Sequence, residues 1–313
     1  MRSAERVMVA QPRRVASVRP LRRLWSEQGA LYPMLYLVPF LVFFIGFQVY
    51  PILQGLWVSL TAWDLLTEPR FVGLNNYTAL FRDSLFQTSL RNTFLFVIMD
   101  APLAVIIPLG LAMLVNEQLP GRTLFRSAFV TPLMISASSV GVLWQWFYNP
   151  AFGIINFYAQ MVGLPGQHWL SEAGWATFAI VITTVWWTSG FNMVLYLAGL
   201  QNIPEHLYDA AKVDGAGALA LFRNITLPGL RPTLLFVTVT TIIGTFRVFA
   251  QIIVMTNNSG GPFDSTRSLV MHLYQTGFHF FRKGGASAVA WVLFLIVLVF
   301  TVIQFRLQRG ATD

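Results

Sequence analysis

Uncharged or nearly uncharged apolar runs stand at 33–60, 92–115, 124–148, 175–199, 232–256 and 286–305, separated by more polar segments. Each is long enough to cross a hydrocarbon core of about 30 Å as a helix rising about 1.5 Å per residue. The pattern predicts an all-α, polytopic membrane protein with six transmembrane helices. Pro39, Pro51, Pro102, Pro108 and Pro132 fall inside the runs. Neighbouring helices can re-satisfy the carbonyls that a proline frees, so these residues predict kinks and not interruptions. Arg126 stands at the edge of the third run, and two runs carry a charge in their interior, Asp100 in the second and Arg247 in the fifth.

Composition agrees with lipid as the main solvent. The 313 residues are 55% hydrophobic and 11% charged, against about 25% charged in ordinary soluble domains. The net charge of +8 resembles a nucleic-acid signature until its placement is considered. Arg2, Arg6, Arg13, Arg14, Arg19, Arg22 and Arg23 precede the first run; Arg122, Arg126, Lys212, Arg223, Arg231, Arg306 and Arg309 fall on the same side in a six-span topology. Arg70, Arg82, Arg91, Arg267, Arg282 and Lys283 are left for the other side. The positive-inside rule then predicts both termini in the cytoplasm, N-in/C-in, and no nucleic-acid partner. Residues 1–30 form a basic cytoplasmic tail without the short apolar core of a cleaved secretory signal. Residues 31–308 form one membrane domain and 309–313 a second tail. Cysteine is absent, which excludes disulfides, thiol nucleophiles and thiolate metal sites.

The segment 201–231, between the fourth and fifth runs, is too polar to insert and too long for a bare connection. Pro204 and Glu205 suit the first turn of a helix and Gly215 its end, which predicts about ten helical residues. A second short helix is expected near Ala218–Asn224, ending before Pro228. Helices so short are marginal alone in water, and Leu207, Tyr208, Ala211, Leu219 and Phe222 would leave apolar faces for a protein partner to cover.

Within this segment Asp209-Ala210-Ala211, three residues, Gly215, nine residues and Ile225-Thr226-Leu227-Pro228 reproduce the spacing of the loop of ABC-importer permeases in which a glutamate, two alanines and a glycine precede I-x-L-P. Asp209 stands where that family usually has glutamate. Further stretches resemble its carbohydrate-uptake branch, which includes the larger maltose permease and the glycerol-phosphate permease. They are Tyr50-Pro51 with Ser59-Leu60, Phe71-Val72-Gly73-Leu74-Asn75-Asn76-Tyr77, Gly153-Ile154-Ile155-Asn156, Gly260-Gly261-Pro262 and Ala290-Trp291. Together they cover residues 35–308. In one respect the chain departs from the family: an aspartate often follows the phenylalanine of the fifth span, and here Phe249 is followed by Ala250.

The resemblance implies a multi-pass subunit of a prokaryotic inner (plasma) membrane, lying in a lipid bilayer and supplying half of a pathway for an oligosaccharide or related polyol phosphate. Its implied partners are a second homologous permease, two ATP-binding subunits and an extracytoplasmic solute-binding protein, with transport by alternating access. Loop 201–231 would be the coupling loop, docking on the ATPase through Glu205, Tyr208, Asp209, Ala210, Ala211, Asp214, Gly215, Leu227 and Pro228. No G-x-x-x-x-G-K-[ST] loop, H-E-x-x-H or G-x-S-x-G occurs, so the chain is expected to be neither an ATPase nor a metalloprotease or serine hydrolase. ATP and Mg are expected on the partner ATPase, with no cofactor or metal on this chain. The competing class is a stand-alone secondary transporter or channel for a small polar solute, which would work without an ATPase.

Polar residues within membranes generally face a cavity or another helix. They concentrate in the third, fourth and fifth runs, and sugars need hydrogen-bond partners around their rims with an apolar plate against their C–H faces. Trp186, Trp187, Asn192, Thr245, Arg247, Gln251 and Asp100 are the candidate pathway residues. The hydroxyl residues can equally serve helix packing. Asp100 and Arg247 fall at similar depth, which permits a buried ion pair, contact with an aqueous pathway, or snorkelling of the arginine.

Overall fold

The computed structural model describes residues 31–117 and 120–309. The basic N-terminal tail and the last four residues lie outside the described residues. The chain divides into two compact units, one ending at Gln54 and the other beginning at Gly55. The first run is continuous helix: α1 (Leu31–Phe44) leads through a π turn (Ile45–Val49) into α2 (Tyr50–Ser59). The Tyr50 N–H reaches back to the Ile45 carbonyl. The ladder thus widens by one residue just ahead of Pro51, which has no N–H to donate.

The second unit continues with a two-residue antiparallel pairing, β1 (Thr61–Ala62) with β2 (Arg70–Phe71), and α3 (Asn75–Arg82). Asn76 donates to the carbonyls of Ser59 and Thr61, both at 2.8 Å, and the Tyr77 hydroxyl meets Ser59 Oγ at 2.8 Å. Two stretches that stood apart in the sequence therefore brace each other. Asp83 caps α4 (Ser84–Asn116), its carboxylate accepting from Leu85 N–H at 2.9 Å. Pro102 and Pro108 lie inside this helix without ending it.

The third run is not one helix. α5 (Arg122–Val130) passes into a 3-10 turn (Thr131–Met134), and α6 (Ala137–Phe147) leaves at 107°. Pro132 and the N-cap Ser136 explain the break: one removes a donor, and the other accepts from Ser139 N–H at 3.2 Å. α7 (Ile154–Met161) precedes α8 (Ala173–Gln201). In loop 201–231, α9 (Glu205–Val213) is followed by α10 (Ala218–Leu221), a π turn (Phe222–Thr226) and α11 (Leu227–Gly229). The second helical stretch thus runs through Pro228 where the sequence suggested a stop. The π turn again absorbs a proline's missing N–H.

The fifth run is also shorter than its pattern. α12 (Arg231–Phe246) stops with Arg247 as its C-cap, and the chain restarts as α13 (Ala250–Met255) after Phe249 leaves helical geometry at φ −155°, ψ −59°. α14 (Leu269–Tyr274) and α15 (Lys283–Arg309) complete the chain. Among the described residues four helices are long and apolar enough to cross a membrane, or up to six if each of two bent pairs, Arg122–Met134 with Ala137–Phe147 and Ala218–Gly229 with Arg231–Phe246, counts as one span.

α8 packs along α4, and α12 packs against both. Gly190 lets α8 approach α5 so closely that an added Cβ would overlap the Phe129 carbonyl, and Gly199 abuts Leu230 and Thr233. Small residues at helix contacts are how membrane helices gain packing when lipid is as apolar as leucine. Three buried clusters result. One gathers Trp144, Ile180, Ile252 and Met271, a second Met193, Tyr196, Leu230 and Val237, and a third Phe86, Phe246, Leu269 and Val289. Ile98, Ile106 and Leu114 stay exposed on α4, as suits a face that meets hydrocarbon.

Candidate functional site

The two helix breaks meet at one place. A cavity of about 410 Å³ lies where α4, α8 and α12 converge with the interruptions at 131–136 and 247–249, and Asp100, Trp187, Asn192, Thr245, Arg247, Phe249 and Gln251 are among its lining residues. Non-helical backbone at membrane depth is tolerated where it is buried in protein or lines a cavity. Both breaks are compatible with that constraint.

Six of the seven pathway candidates lie on this cavity. Trp186 does not: it packs with Trp144 at a ring separation of 5.5 Å, against the first buried cluster. The other six differ in what they have left to offer. Asn192 Nδ2 donates to the Ala104 carbonyl at 2.8 Å and to Thr241 Oγ1 at 3.2 Å, tying α4, α8 and α12 together. Trp187 Nε1 donates to the Ile135 carbonyl at 3.1 Å, which ties α8 to the broken third run. Thr183, Thr184, Thr188 and Ser189 donate to carbonyls four residues back, so most of the polar run on α8 is satisfied within its own helix.

Asp100 is 2% exposed. Its Oδ2 accepts from Thr245 Oγ1 at 2.5 Å, a hydroxyl shared with the Thr241 carbonyl at 3.0 Å. Its Oδ1 has no hydrogen-bond partner among the described residues. Arg247 is exposed and, among the described residues, makes no ion pair. The arrangement in which Asp100 and Arg247 pair is thus not the one formed, although both line the same cavity. At the end of α12 the guanidinium also suits the negative end of the helix dipole. Gln251 is 4% exposed, and its side-chain amide has no hydrogen bond among the described residues.

Sequence reasoning missed the breaks and the cavity residues Leu133, Ala137, Phe191 and Phe249. Only Pro132 beside Ser136, and an arginine within an apolar run, pointed toward them.

Loop 201–231 forms a second feature. α9 begins after Pro204, with Glu205 in its first turn and Lys212 in its last, and ends as Gly215 adopts φ +79°. That left-handed conformation is natural only for glycine. Asp209 and Lys212 are 3.7 Å apart with side chains 66% and 62% exposed, too solvated to add much stability. Ala210, Asp214 and Pro228 are exposed, Ala211 and Leu227 half-buried. Tyr208 is also half-buried, because its hydroxyl meets Thr226 Oγ1 at 3.0 Å and holds α9 to the following turn. Phe222 packs against the second buried cluster. The apolar surface that remains is Leu207, Val213 and Leu219, at 43%, 88% and 76% exposure. Pro204, Leu207, Ile225 and Pro228 line a groove of about 430 Å³ beside it.

The family model for the binding-protein-dependent transport system inner membrane component matches residues 93–313. The chain belongs to that family. This permease is 34% identical over 274 residues to the probable ABC transporter permease protein YesP of Bacillus subtilis, covering 87% of this chain and 88% of that protein. It is 33% identical to the sulfoquinovosyl glycerol transport system permease protein SmoG of Agrobacterium fabrum, covering 91% and 93%. It is 34% identical to the lactose transport system permease protein LacF of Rhizobium radiobacter, covering 92% and 96%. A chain of a bacterial ABC transporter involved in import of the acidic polysaccharide alginate has the same fold, with a TM-score of 0.78 and 24% identity over 94% of this permease and 98% of that chain. Some residues in the other motifs of the resemblance brace neighbouring segments. Asn156, for instance, exchanges hydrogen bonds with the Gln167 backbone and accepts from Trp169 Nε1 at 2.8 Å.

Proposed function

We propose that this permease spans the membrane six times with both termini in the cytoplasm and forms half of the pathway of an ATP-driven importer for a sugar or related polyol. The solute arrives on an extracytoplasmic binding protein, a second permease completes the pathway, and ATP with Mg is bound and hydrolysed on two separate ATPase subunits. Loop 201–231 is the docking element. Closure of the ATPase dimer moves α9, the helices reorient, and the cavity around Asp100 and Gln251 is exposed to each side of the membrane in turn.

The observation that carries this reading is α9 itself. In a chain of the binding-protein-dependent family, a nine-residue helix stands at the surface with Leu207 and Val213 uncovered and turns sharply at Gly215. A short helix of this kind needs a partner to cover its apolar residues. Sugar as the solute class is supported by relatives named for lactose and sulfoquinovosyl glycerol transport and by a cavity of apolar walls with few polar groups.

Gly215→Pro and Asp209→Arg test the docking role. Proline cannot adopt the positive φ of residue 215, and the charge reversal alters an exposed side chain paired, among the described residues, only with Lys212. Both variants are expected to insert normally while binding-protein-stimulated uptake into proteoliposomes falls at least about tenfold. Full uptake by both, or a purified chain that transports without an ATPase, overturns the reading.

A further inference from the structure

Three groups on the cavity retain unused hydrogen-bonding capacity. Asp100 Oδ1 is buried and unpartnered, and among the described residues the Gln251 side-chain amide has no hydrogen bond and the Arg247 guanidinium neither hydrogen bond nor ion pair. The donor groups of Asn192 and Trp187, by contrast, are engaged with the scaffold. A buried carboxylate oxygen without a donor costs free energy, and so does an unpaired guanidinium at membrane depth. A polar molecule that enters the cavity relieves both together.

We infer that Asp100 and Arg247 read the solute jointly and make the cavity selective for an uncharged, polyhydroxylated solute. The inference rests on the importer reading above. A carboxylate oxygen only accepts and a guanidinium only donates, so the complement is a molecule that presents a donor and an acceptor close together. Adjacent sugar hydroxyls do this, since each is both donor and acceptor. Thr245, bonded to Asp100, lies two residues before Arg247 on the same chain segment, which keeps the two charges on neighbouring parts of the lining. An anionic solute would satisfy Arg247 but bring its charge beside Asp100 in a medium that screens poorly. A cationic one meets the opposite conflict. The faces of Trp187 and Phe249 supply apolar surface for C–H groups, Trp187 having committed its N–H elsewhere. Asp100 is thus a specificity-determining residue, and Gln251 adds a donor and an acceptor without changing the charge balance.

The test uses the assembled importer in nanodiscs, without its binding protein, and saturation-transfer NMR with lactose, glucose and glucuronate. Glucose and glucuronate differ little but in charge. The wild-type complex is expected to bind lactose and glucose, and glucuronate about tenfold more weakly. Asp100→Asn is expected to gain glucuronate binding by about tenfold, because Arg247 is then the only formal charge on the lining among the described residues. Such a gain cannot arise from misfolding. Ala250→Asp, which places a carboxylate on the same cavity, should restore the exclusion in the Asp100→Asn background. Arg247→Gln, at an exposed position, should stay monodisperse and lose glucose binding about tenfold. Equal wild-type binding of glucose and glucuronate, no binding of either neutral sugar, or an unchanged preference in Asp100→Asn overturns the inference. A complex whose ATPase still responds to the binding protein while showing any of these results overturns the inference alone. Failure to assemble with an ATPase overturns the importer reading instead.

Discussion

Asn192, Trp187 and Asp100 show that polarity within an apolar run has several uses. All three line the cavity, yet Asn192 and Trp187 direct donors into backbone carbonyls of neighbouring elements while Asp100 keeps one oxygen free. Residue type was legible in the sequence; the division between engaged and free polar groups was not, because it depends on which carbonyl another helix brings within about 3 Å. His272 shows the same dependence. It is 6% exposed, with its Nε2 3.7 Å from Asp83 Oδ2. Burial lowers its pKa below the ordinary histidine value, Asp83 opposes that shift, and Arg267 adds to it. A histidine whose folded pKa is depressed gives its full stability above the unfolded pKa of about 6.5. That stability is lost as pH falls from there through the folded value, because the unfolded chain takes up a proton that the folded one resists. Melting in detergent should therefore drop between pH 8 and pH 5.5, and His272→Gln should flatten the drop; an unaltered pH profile in the variant would contradict this account.

At the scale of elements, the apolar runs predicted where helices form but not where they break. The run 232–256 reads as one span, yet α12 ends at Phe246 and α13 begins at Ala250. Hydropathy cannot register such a break, since the freed backbone groups are made tolerable by surroundings that other helices supply. The expected end of the second loop helix before Pro228 failed for a related reason, the π turn at 222–226 carrying the helix through. Close helix contacts are likewise decided between elements. Gly190 is one glycine among 23 in the sequence, but it sits where α8 meets the Phe129 carbonyl. Gly190→Val must push α8 from α5, at a cost of about 3 kcal/mol. Its thermal midpoint should fall clearly, while the same change at Gly174, where an added Cβ meets nothing within 4 Å, should leave it nearly unmoved.

For the whole molecule the open quantity is the number of crossings, and it has a direct readout because the chain contains no cysteine. Leu66 and Val213 are 91% and 88% exposed. If the bent pair Arg122–Met134 with Ala137–Phe147 crosses the membrane, three crossings separate these positions and they face opposite sides. If it does not cross, two separate them and they share a side. The six-span reading expects an impermeant maleimide to label Leu66→Cys in intact cells and Val213→Cys only after permeabilisation. Labelling of both in intact cells would exclude it.

The sequence by itself determined the solvent, the helical class, the family and the position of the short helix in loop 201–231. These follow from local quantities: runs of apolar residues, the distribution of 21 basic residues, and a spacing around Gly215 that depends on one residue's freedom to take positive φ. Only the tertiary structure decided that two broken helices share a cavity, that Trp186 turns away from it, and that Asp100 meets Thr245 and not Arg247. A hydrogen bond between residues 145 positions apart forms only once packing has set the rotation of each helix. That rotation is fixed by glycine contacts and side-chain volumes on neighbouring helices, which no single stretch of sequence contains.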